Sequence, residues 1–297
     1  MNIHLIYNET SGDGDHSIPG IVKCLKKHGA NVVAFNKKSS KLNEFLKKKC
    51  DFLMIAGGDG TVEKVLKKMV GNPVPFAVLP LGNANNIAES LNLDDYLGKL
   101  ISNWKGNKME SLSIGFLEND GKVDYFLESI GWGWFANTLA GIKKNKKQKK
   151  KDPEDKVAFG LDKLEDALKT LSASRYEIQI DGRNYDGDYL WIEVMNINYM
   201  GPNLHVAPEA DTRDRYLDVI LVKEGEDEKM GHFIKHQQQK EPYDFDLAIK
   251  AKEVLVKGKG VMHIDDKIME EISKKETCQN WLKIGLHPKQ FKLIPSY

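Results

Sequence analysis

Residues Phe52-Leu-Met-Ile-Ala-Gly-Gly-Asp-Gly-Thr61 run five apolar side chains straight into three glycines, an aspartate and a threonine. An unbroken apolar run of about 4–8 residues bounded by turn residues reads as a parallel strand buried on both faces. Glycines at its carboxyl end let the backbone turn sharply and bring bare N–H groups against a ligand. A helix expected over 61–70 would aim the positive end of its dipole at the same spot. A carboxylate inside such an anion cradle makes chemical sense when a divalent cation bridges it to a polyphosphate. The stretch is not a Walker loop, since no Gly-Lys-Ser/Thr follows, and it lacks the Gly-x-Gly-x-x-Gly spacing of a dinucleotide fingerprint.

Working outward, strand-like runs at 3–7, 31–35, 52–56 and 76–79 alternate with helical patterns at 18–28, 42–49, 62–70, 83–91 and 94–104. That alternation implies a parallel sheet with helices on both faces, a three-layer α/β domain. Ligands of such sheets sit beyond the carboxyl ends of the strands. Three of these ends carry small polar loops, Asn8–Gly12, Gly57–Thr61 and Pro80–Asn86, which should share one rim.

From about residue 107 the period changes to strands joined by tight turns. Runs at 109–117 and 123–130 flank Asp120-Gly121. Residues 175–181 alternate cleanly before Asp181-Gly182, and 189–196, 216–222, 249–256 and 260–265 continue the series. Many strands with two-residue turns indicate an antiparallel β-sandwich. One helix interrupts it, with Leu161, Leu164, Leu168 and Leu171 on one face. The expected division is an α/β domain over 1–106 and a β-sandwich over 107–285, with the tail 286–297 returning to the first domain.

The chain has 297 residues, ample for two cores, with 41% hydrophobic and 29% charged residues and a net charge of +1. Near-neutrality argues against a globally basic nucleic-acid binder. No apolar run approaches the roughly 18 residues of a membrane span, and no secretory leader pattern is read at the start. Three cysteines far apart fit a reducing cytoplasm and form no metal motif.

Gly57-Gly-Asp-Gly-Thr-Val62, followed after the next strand by Leu79-Pro-Leu-Gly-Asn-Ala-Asn85, resembles the diacylglycerol kinase catalytic-domain family, which includes bacterial lipid kinases and sphingosine kinases. Asn8-Glu-Thr-Ser-Gly12, Gly131-Trp-Gly-Trp-Phe-Ala136, Val206-Ala-Pro-Glu-Ala210, Asp214-Arg-Tyr-Leu-Asp-Val219 and Ile264-Asp-Asp-Lys267 fall in the family's order. The resemblance implies an α/β domain and a β-sandwich with ATP in the cleft between them, a fold shared with NAD kinases. It implies Asp265 as the base that activates the acceptor hydroxyl and Asp59 as the residue acting through Mg2+ on the β- and γ-phosphates. Gly57, Gly58, Gly60 and Thr61 would cradle phosphate, with Asn8, Ser11, Gly12, Asn36, Lys64, Gly82, Asn83 and Asn85 on adjacent walls. Asp211, Asp214 and the Tyr216 carbonyl correspond to a structural metal site of some relatives; an ordinary solvated turn is the competing reading. The family's usual Asn-Glu, Thr and Asp, and Gly-Glu are here Glu63-Lys64, Asn83 and Asn86, and Asp266-Lys267.

The implied activity is transfer of the γ-phosphate of ATP to a hydroxyl of a diacylglycerol-, phosphatidylglycerol- or sphingoid-like lipid at a membrane surface. The alternatives are a kinase of NAD or another soluble alcohol, and a catalytically impaired nucleotide- and lipid-binding protein. Residues 143–151 carry seven lysines and no acid. They read as a solvated loop or as a patch drawn to anionic headgroups, which fits a cytoplasmic protein held peripherally at the inner membrane face. RNA is disfavoured because no aromatics interleave the lysines. A homodimer is compatible with the sequence.

Overall fold

A computed structural model describes residues 1–8, 17–94, 97–144, 153–239, 241, 243, 248–269 and 280–297. The chain divides into two compact units, Met1–Ser113 with Pro288–Tyr297, and Ile114–His287.

The first unit runs β1 (Asn2–Tyr7), α1 (Ile18–Lys27), β2 (Asn31–Asn36), α2 (Leu42–Leu46), β3 (Phe52–Gly57), α3 (Asp59–Leu66), β4 (Phe76–Pro80), α4 (Asn86–Ser90), α5 (Leu97–Lys105) and β5 (Glu110–Leu112). Strands β2, β1, β3 and β4 are parallel in that order. The last strand of the chain, Phe291–Leu293, lies between β4 and β5, parallel to the first and antiparallel to the second. Strand β3 is buried at all six positions, which is why its sequence shows no alternation. Ile3 and Leu5 pack with Ile21 and Leu25 of α1 and Leu100 and Ile101 of α5. His4, between them, turns the other way onto Phe45 of α2, with ring centroids 4.5 Å apart. Helix α1 opens with Ser17, whose hydroxyl accepts the Gly20 N–H at 3.3 Å, and with Pro19 in its first turn.

The second unit begins with β6 (Gly115–Asn119), β7 (Lys122–Phe126), β8 (Ser129–Gly133), α6 (Trp134–Lys144) and α7 (Pro153–Leu168). It continues with β9 (Ser174–Ile180), β10 (Arg183–Asn184), β11 (Gly187–Met195), β12 (Tyr199–Met200), β13 (Leu204–His205), β14 (Leu217–Lys223) and α8 (Asp227–Gln239). Strands β15 (Ile249–Ala251), β16 (Glu253–Gly258), β17 (Met262–Ile264), β18 (Lys267–Ile268) and β19 (Leu282–Leu286) complete it. Its pairings are antiparallel, in the order β18-β17-β8-β11-β9-β16-β19-β6-β7, with β14 also on β11 and β15 on β14. Asp120-Gly121 and Asp181-Gly182 turn with φ values of 50°, 76°, 46° and 78°, the left-handed pairs that match strand twist. Along β11, Ile192 and Val194 enter the core formed between strands, while Trp191 and Met195 face the helices with Trp134, Leu164 and Phe233.

Two expectations need correction. The run 109–117 is two strands, β5 in the first unit and β6 in the second, because the chain passes between units at Ser113 and Ile114. The helix after β3 starts at Asp59 rather than Thr61, with Gly58 as its N-cap. The aspartate and third glycine are therefore helical, not loop.

Candidate active site

The glycines of residues 57–60 do different jobs. A Cβ on Gly58 would lie 2.7 Å from the Gly82 Cα, and one on Gly82 only 2.3 Å from the Gly58 Cα. The loops after β3 and β4 thus touch backbone to backbone. A Cβ on Gly57 would meet the Thr61 hydroxyl at 2.6 Å. Among the described residues nothing lies within 4 Å of the Gly60 Cβ position, so they leave the first turn of α3 open there. That turn carries N–H donors that an α-helix cannot satisfy internally. The Thr61 N–H is turned back on the Gly58 carbonyl at 2.7 Å, which leaves the turn's opening beside Gly60 as the place for an anion.

Cations border this opening. Lys37, half-buried just past β2, donates from Nζ to the Thr61 hydroxyl at 2.7 Å, and the Lys64 ammonium reaches the Lys37 carbonyl at 2.9 Å. Sequence reasoning missed Lys37 and chose its neighbour Asn36, whose side-chain oxygen instead accepts the Lys38 N–H at 2.8 Å. Asn8 extends β1, its N–H reaching the Ala56 carbonyl at 3.3 Å. Asn85, left-handed at φ 55°, clamps its own loop: its Oδ1 accepts the Gly82 N–H at 2.9 Å and its Nδ2 donates to the Gly82 carbonyl at 3.2 Å. Asn83 is exposed on that loop. Ser11 and Gly12 lie outside the described residues. The structure therefore gathers Asn36, Gly57–Thr61, Lys64 and Gly82–Asn85 at the carboxyl ends of adjacent parallel strands.

Asp59 caps a second helix. Its Oδ1 accepts the Ile87 N–H at 3.0 Å, in the first turn of α4, whose own N-cap Asn85 makes no side-chain cap bond. Burial pushes the Asp59 carboxyl above its ordinary value, against the pull of the N–H groups of Ile87, Asn86, Asp59 itself and Asn85. A raised folded value means that this group's contribution to stability is fullest below the unfolded carboxyl's range and is lost as pH rises through the folded value. At pH 7.5 the ionised side chain is thus a burden that a neutral isostere relieves. Asp59→Asn, which keeps an oxygen for Ile87, is expected to match or exceed the wild-type melting temperature at pH 7.5, with the advantage shrinking toward pH 4. A clear loss of melting temperature at pH 7.5 would show that the charge itself holds the fold.

In the second unit, Asp265 occupies the two-residue turn between β17 and β18 at φ 50° and is 3% exposed. Its Oδ1 accepts the N–H groups of Glu128 at 2.8 Å, Leu127 at 3.1 Å and Ser129 at 3.4 Å, while its Oδ2 receives a long bond from the Leu127 N–H, 3.4 Å. Its N–H donates to the Ser129 carbonyl at 2.8 Å. Lys143, at the end of α6, donates to the Asp266 carbonyl; Asp266 and Lys267 are exposed. Lys143 and Lys144 are the described part of the lysine run, and 145–151 lie outside the described residues. Behind Asp265 sit Glu193 and His263, fully buried and missed by sequence reasoning.

Trp132 and Trp134 are core residues, Trp134 donating its indole N–H to the Leu164 carbonyl at 2.9 Å. Trp134 also lines an open cavity of about 570 Å3 between α6 and α7, with Thr138, Ile142, Phe159, Ala167 and Leu171.

Two of the residues expected at a structural metal, Asp211 and Asp214, each face a protein cation. Asp211 pairs with Arg213 at 2.8 and 3.1 Å. The Lys250 ammonium lies 2.8 Å from Asp214 Oδ2, 3.1 Å from Asp218 Oδ2 and 3.0 Å from the Glu209 carbonyl, while Tyr216 gives its N–H to Asp214 at 2.8 Å. Among the described residues no cluster of three His, Cys, Asp or Glu could hold a metal. Burial pushes the Asp218 carboxyl upward, partly offset by Lys250. Lys250→Met would remove that offset. Its expected cost is about 1–3 kcal/mol, below that of a fully buried pair because Lys250 is partly exposed. Because Asp218 is then raised further, the loss should be larger at pH 8 than at pH 5. Thermal melts at the two values test this, and an equal loss at both would refute the charge argument.

Comparison with known proteins agrees with this architecture. The family model described as "Diacylglycerol kinase catalytic domain" matches residues 2–117, and that described as "YegS C-terminal NAD kinase beta sandwich-like domain" matches 140–262. The chain is 24% identical over 240 residues to a diacylglycerol kinase of Staphylococcus aureus strain MRSA252, covering 77% of this chain and 73% of that one. It is 21% identical over 229 residues to a diacylglycerol kinase of Mycobacterium tuberculosis strain H37Rv, covering 73% and 71%. The crystal structure of a diacylglycerol kinase from Bacillus anthracis strain Sterne superposes with a TM-score of 0.69 at 16% identity, over 99% of this chain and 96% of that one. With one model over the parallel-sheet unit and the other over the antiparallel one, the chain belongs to the diacylglycerol kinase catalytic-domain family, a family of lipid kinases.

Proposed function

We propose that this chain is an ATP- and Mg2+-dependent kinase that phosphorylates a hydroxyl of a diacylglycerol-like, phosphatidylglycerol-like or sphingoid lipid. The observation that carries the reading is the open start of α3 at Gly60, with Lys37 and Lys64 beside it. A helix start flanked by two ammonium groups suits a polyphosphate. The donor set also fits a hydrated Mg2+ held by one carboxylate and the nucleotide's own phosphates, with Asp59 as the protein ligand. When bound, Mg2+ supplies neutralisation of the phosphate charge. Lys37 and Lys64 would draw the phosphates to the α3 start. Asp265 would orient the acceptor hydroxyl and take its proton at Oδ2, the oxygen with the weaker backbone bond. The acceptor oxygen gains a bond to the γ-phosphorus as the bond to the β–γ bridging oxygen breaks, and ADP leaves.

The apolar part of the α6–α7 cavity, Trp134, Ile142, Phe159, Ala167 and Leu171 beside polar neighbours such as Asn137, Lys163 and Asp166, supports an acyl chain as the acceptor's remainder. The lysines at 143–151 support a peripheral hold on anionic membrane, each worth about 1 kcal/mol near the surface. Among the described residues no helix is long and apolar enough to cross a bilayer.

Incubation with labelled ATP, Mg2+ and micelles carrying a panel of lipid hydroxyls should give a labelled chloroform-soluble product. Label appearing on NAD instead would overturn the lipid reading. Replacing the lysines of 143–151 by glutamine should weaken binding to anionic vesicles more than it lowers turnover in neutral micelles; unchanged vesicle binding would reduce that segment to a solvated loop.

A further inference from the structure

His263 on β17 and Glu193 on β11 are each the register partner of one residue, Gly131 on the intervening strand β8. Paired residues of neighbouring strands project to the same face, so these two side chains converge above Gly131 from about 10 Å apart, two strand spacings. They meet only because position 131 has no side chain: a Cβ there would lie 2.3 Å from Glu193 Oε2. His263 Nε2 is 3.0 Å from Glu193 Oε1 and 3.1 Å from Oε2, both residues being fully buried. The Trp191 indole N–H donates to Oε2 at 2.9 Å, and the Phe135 ring packs edge-on to the imidazole, centroids 4.8 Å apart. On its other side, His263 Nδ1 lies 2.8 Å from the Asp265 carbonyl oxygen.

A carbonyl and a carboxylate can only accept. With Glu193 ionised, Nδ1 against one and Nε2 against the other place a proton on each ring nitrogen, which makes His263 a buried imidazolium. Burial alone would push the His263 value down, but the Glu193 charge, its hydrogen bond and the Asp265 carbonyl carry it up. Charge-assisted bonds of this kind are shorter and roughly twice as strong as neutral ones.

We propose that His263 is a positioning residue for Asp265: the Glu193–His263 ion pair, built over Gly131, pins the Asp265 carbonyl and so fixes the direction of its carboxylate. Two main-chain anchors result, the Asp265 N–H on the Ser129 carbonyl and the Asp265 carbonyl on His263. Between them the residue is held in the left-handed conformation at φ 50°. These anchors act beside the N–H groups of Leu127, Glu128 and Ser129 that grip the carboxylate itself, and Asp266 is exposed. The proposal rests on the reading of Asp265 as the base.

His263→Asn and His263→Gln in the full chain separate the two bonds, since the Asn amide nitrogen stands near the place of Nδ1 and the Gln amide nitrogen near that of Nε2. His263→Asn is expected to keep kcat within about fivefold. His263→Gln, which releases the Asp265 carbonyl, should lower kcat about 10- to 100-fold with the KM for ATP within about twofold, the size expected for misplacing a reacting group by up to 1 Å. Wild-type kcat in His263→Gln, or equal losses in the two variants that track their melting temperatures, would overturn the proposal. Asp265→Asn measured alongside distinguishes the failures. If it retains turnover, the base reading falls; if it is inactive while His263→Gln is normal, only the positioning falls. Nitrogen-15 NMR of the wild-type ring decides the matter even where a variant does not fold. Two protonated nitrogens through pH 6–8 are expected, and a neutral tautomer would overturn it.

Discussion

Asp265→Asn is expected to lower lipid-dependent turnover by about two to four orders of magnitude, the usual worth of a positioned general base, while ATP affinity changes little. The substitution isolates the proton-accepting role with little structural disturbance. Asparagine tolerates the left-handed region as readily as aspartate, so φ 50° carries no new strain. Its Oδ1 can still accept from Glu128, Leu127 and Ser129, the bonds that hold the 127–129 turn. What it loses is the capacity to take a proton at the second position, where the amide nitrogen replaces Oδ2. Single-turnover measurement in mixed micelles, beside ATP titration of the same preparation, reads the two effects separately. Turnover within threefold of wild type would remove Asp265 from the reaction. Asp265→Ala is the poorer experiment, because it strips the acceptor from the 127–129 N–H groups as well.

Gly82→Ala should cost about 1–3 kcal/mol of stability or more, the range for forcing atoms into a packed site, and abolish nucleotide binding with it. Its methyl would lie 2.3 Å from the Gly58 Cα, 2.6 Å from Asn85 Oδ1 and 3.1 Å from the Gly58 nitrogen. Most of those atoms are main chain, so nothing can swing aside, and the loops after β3 and β4 must separate. Gly60→Ala is the matched control. Its methyl meets nothing within 4 Å among the described residues, and alanine favours a helix over glycine. The melting temperature should therefore hold or rise while the methyl intrudes on the open start of α3, and ATP affinity falls. If Gly60→Ala bound ATP normally, the nucleotide would not lie over that turn. If Gly82→Ala melted normally, the backbone contact with Gly58 would not be what those glycines are for.

The parallel and antiparallel halves were both legible, because burial on two faces writes an unbroken apolar run at 52–56 and turn chemistry writes Asp-Gly at 120 and 181. The passage between units was not. Leu112, Ser113 and Ile114 are all buried, no proline or charge lies among them, and the Gly115 that follows already belongs to β6. The glycine motif was readable as a site, but the mutual contact of Gly58 and Gly82 depends on two loops meeting in space. Lys37 gave no signal among 44 basic residues. Glu193 and His263 did leave one, unread: each is the one acidic or basic residue in an otherwise apolar run, 189–195 and 261–264. A charge in such a setting needs a buried partner of opposite sign, although a separation of 70 positions conceals which one.

The strand Phe291–Leu293 has a consequence for biosynthesis. It alone joins β4 to β5, yet the ribosome makes it about 210 residues after β4, a delay of roughly ten to forty seconds at 5–20 residues per second. Through that interval the nascent chain carries a bare strand edge at β4, open to mispairing with other chains. The parallel-sheet unit therefore cannot complete its sheet cotranslationally ahead of the antiparallel unit, whose strands are all made before Phe291–Leu293.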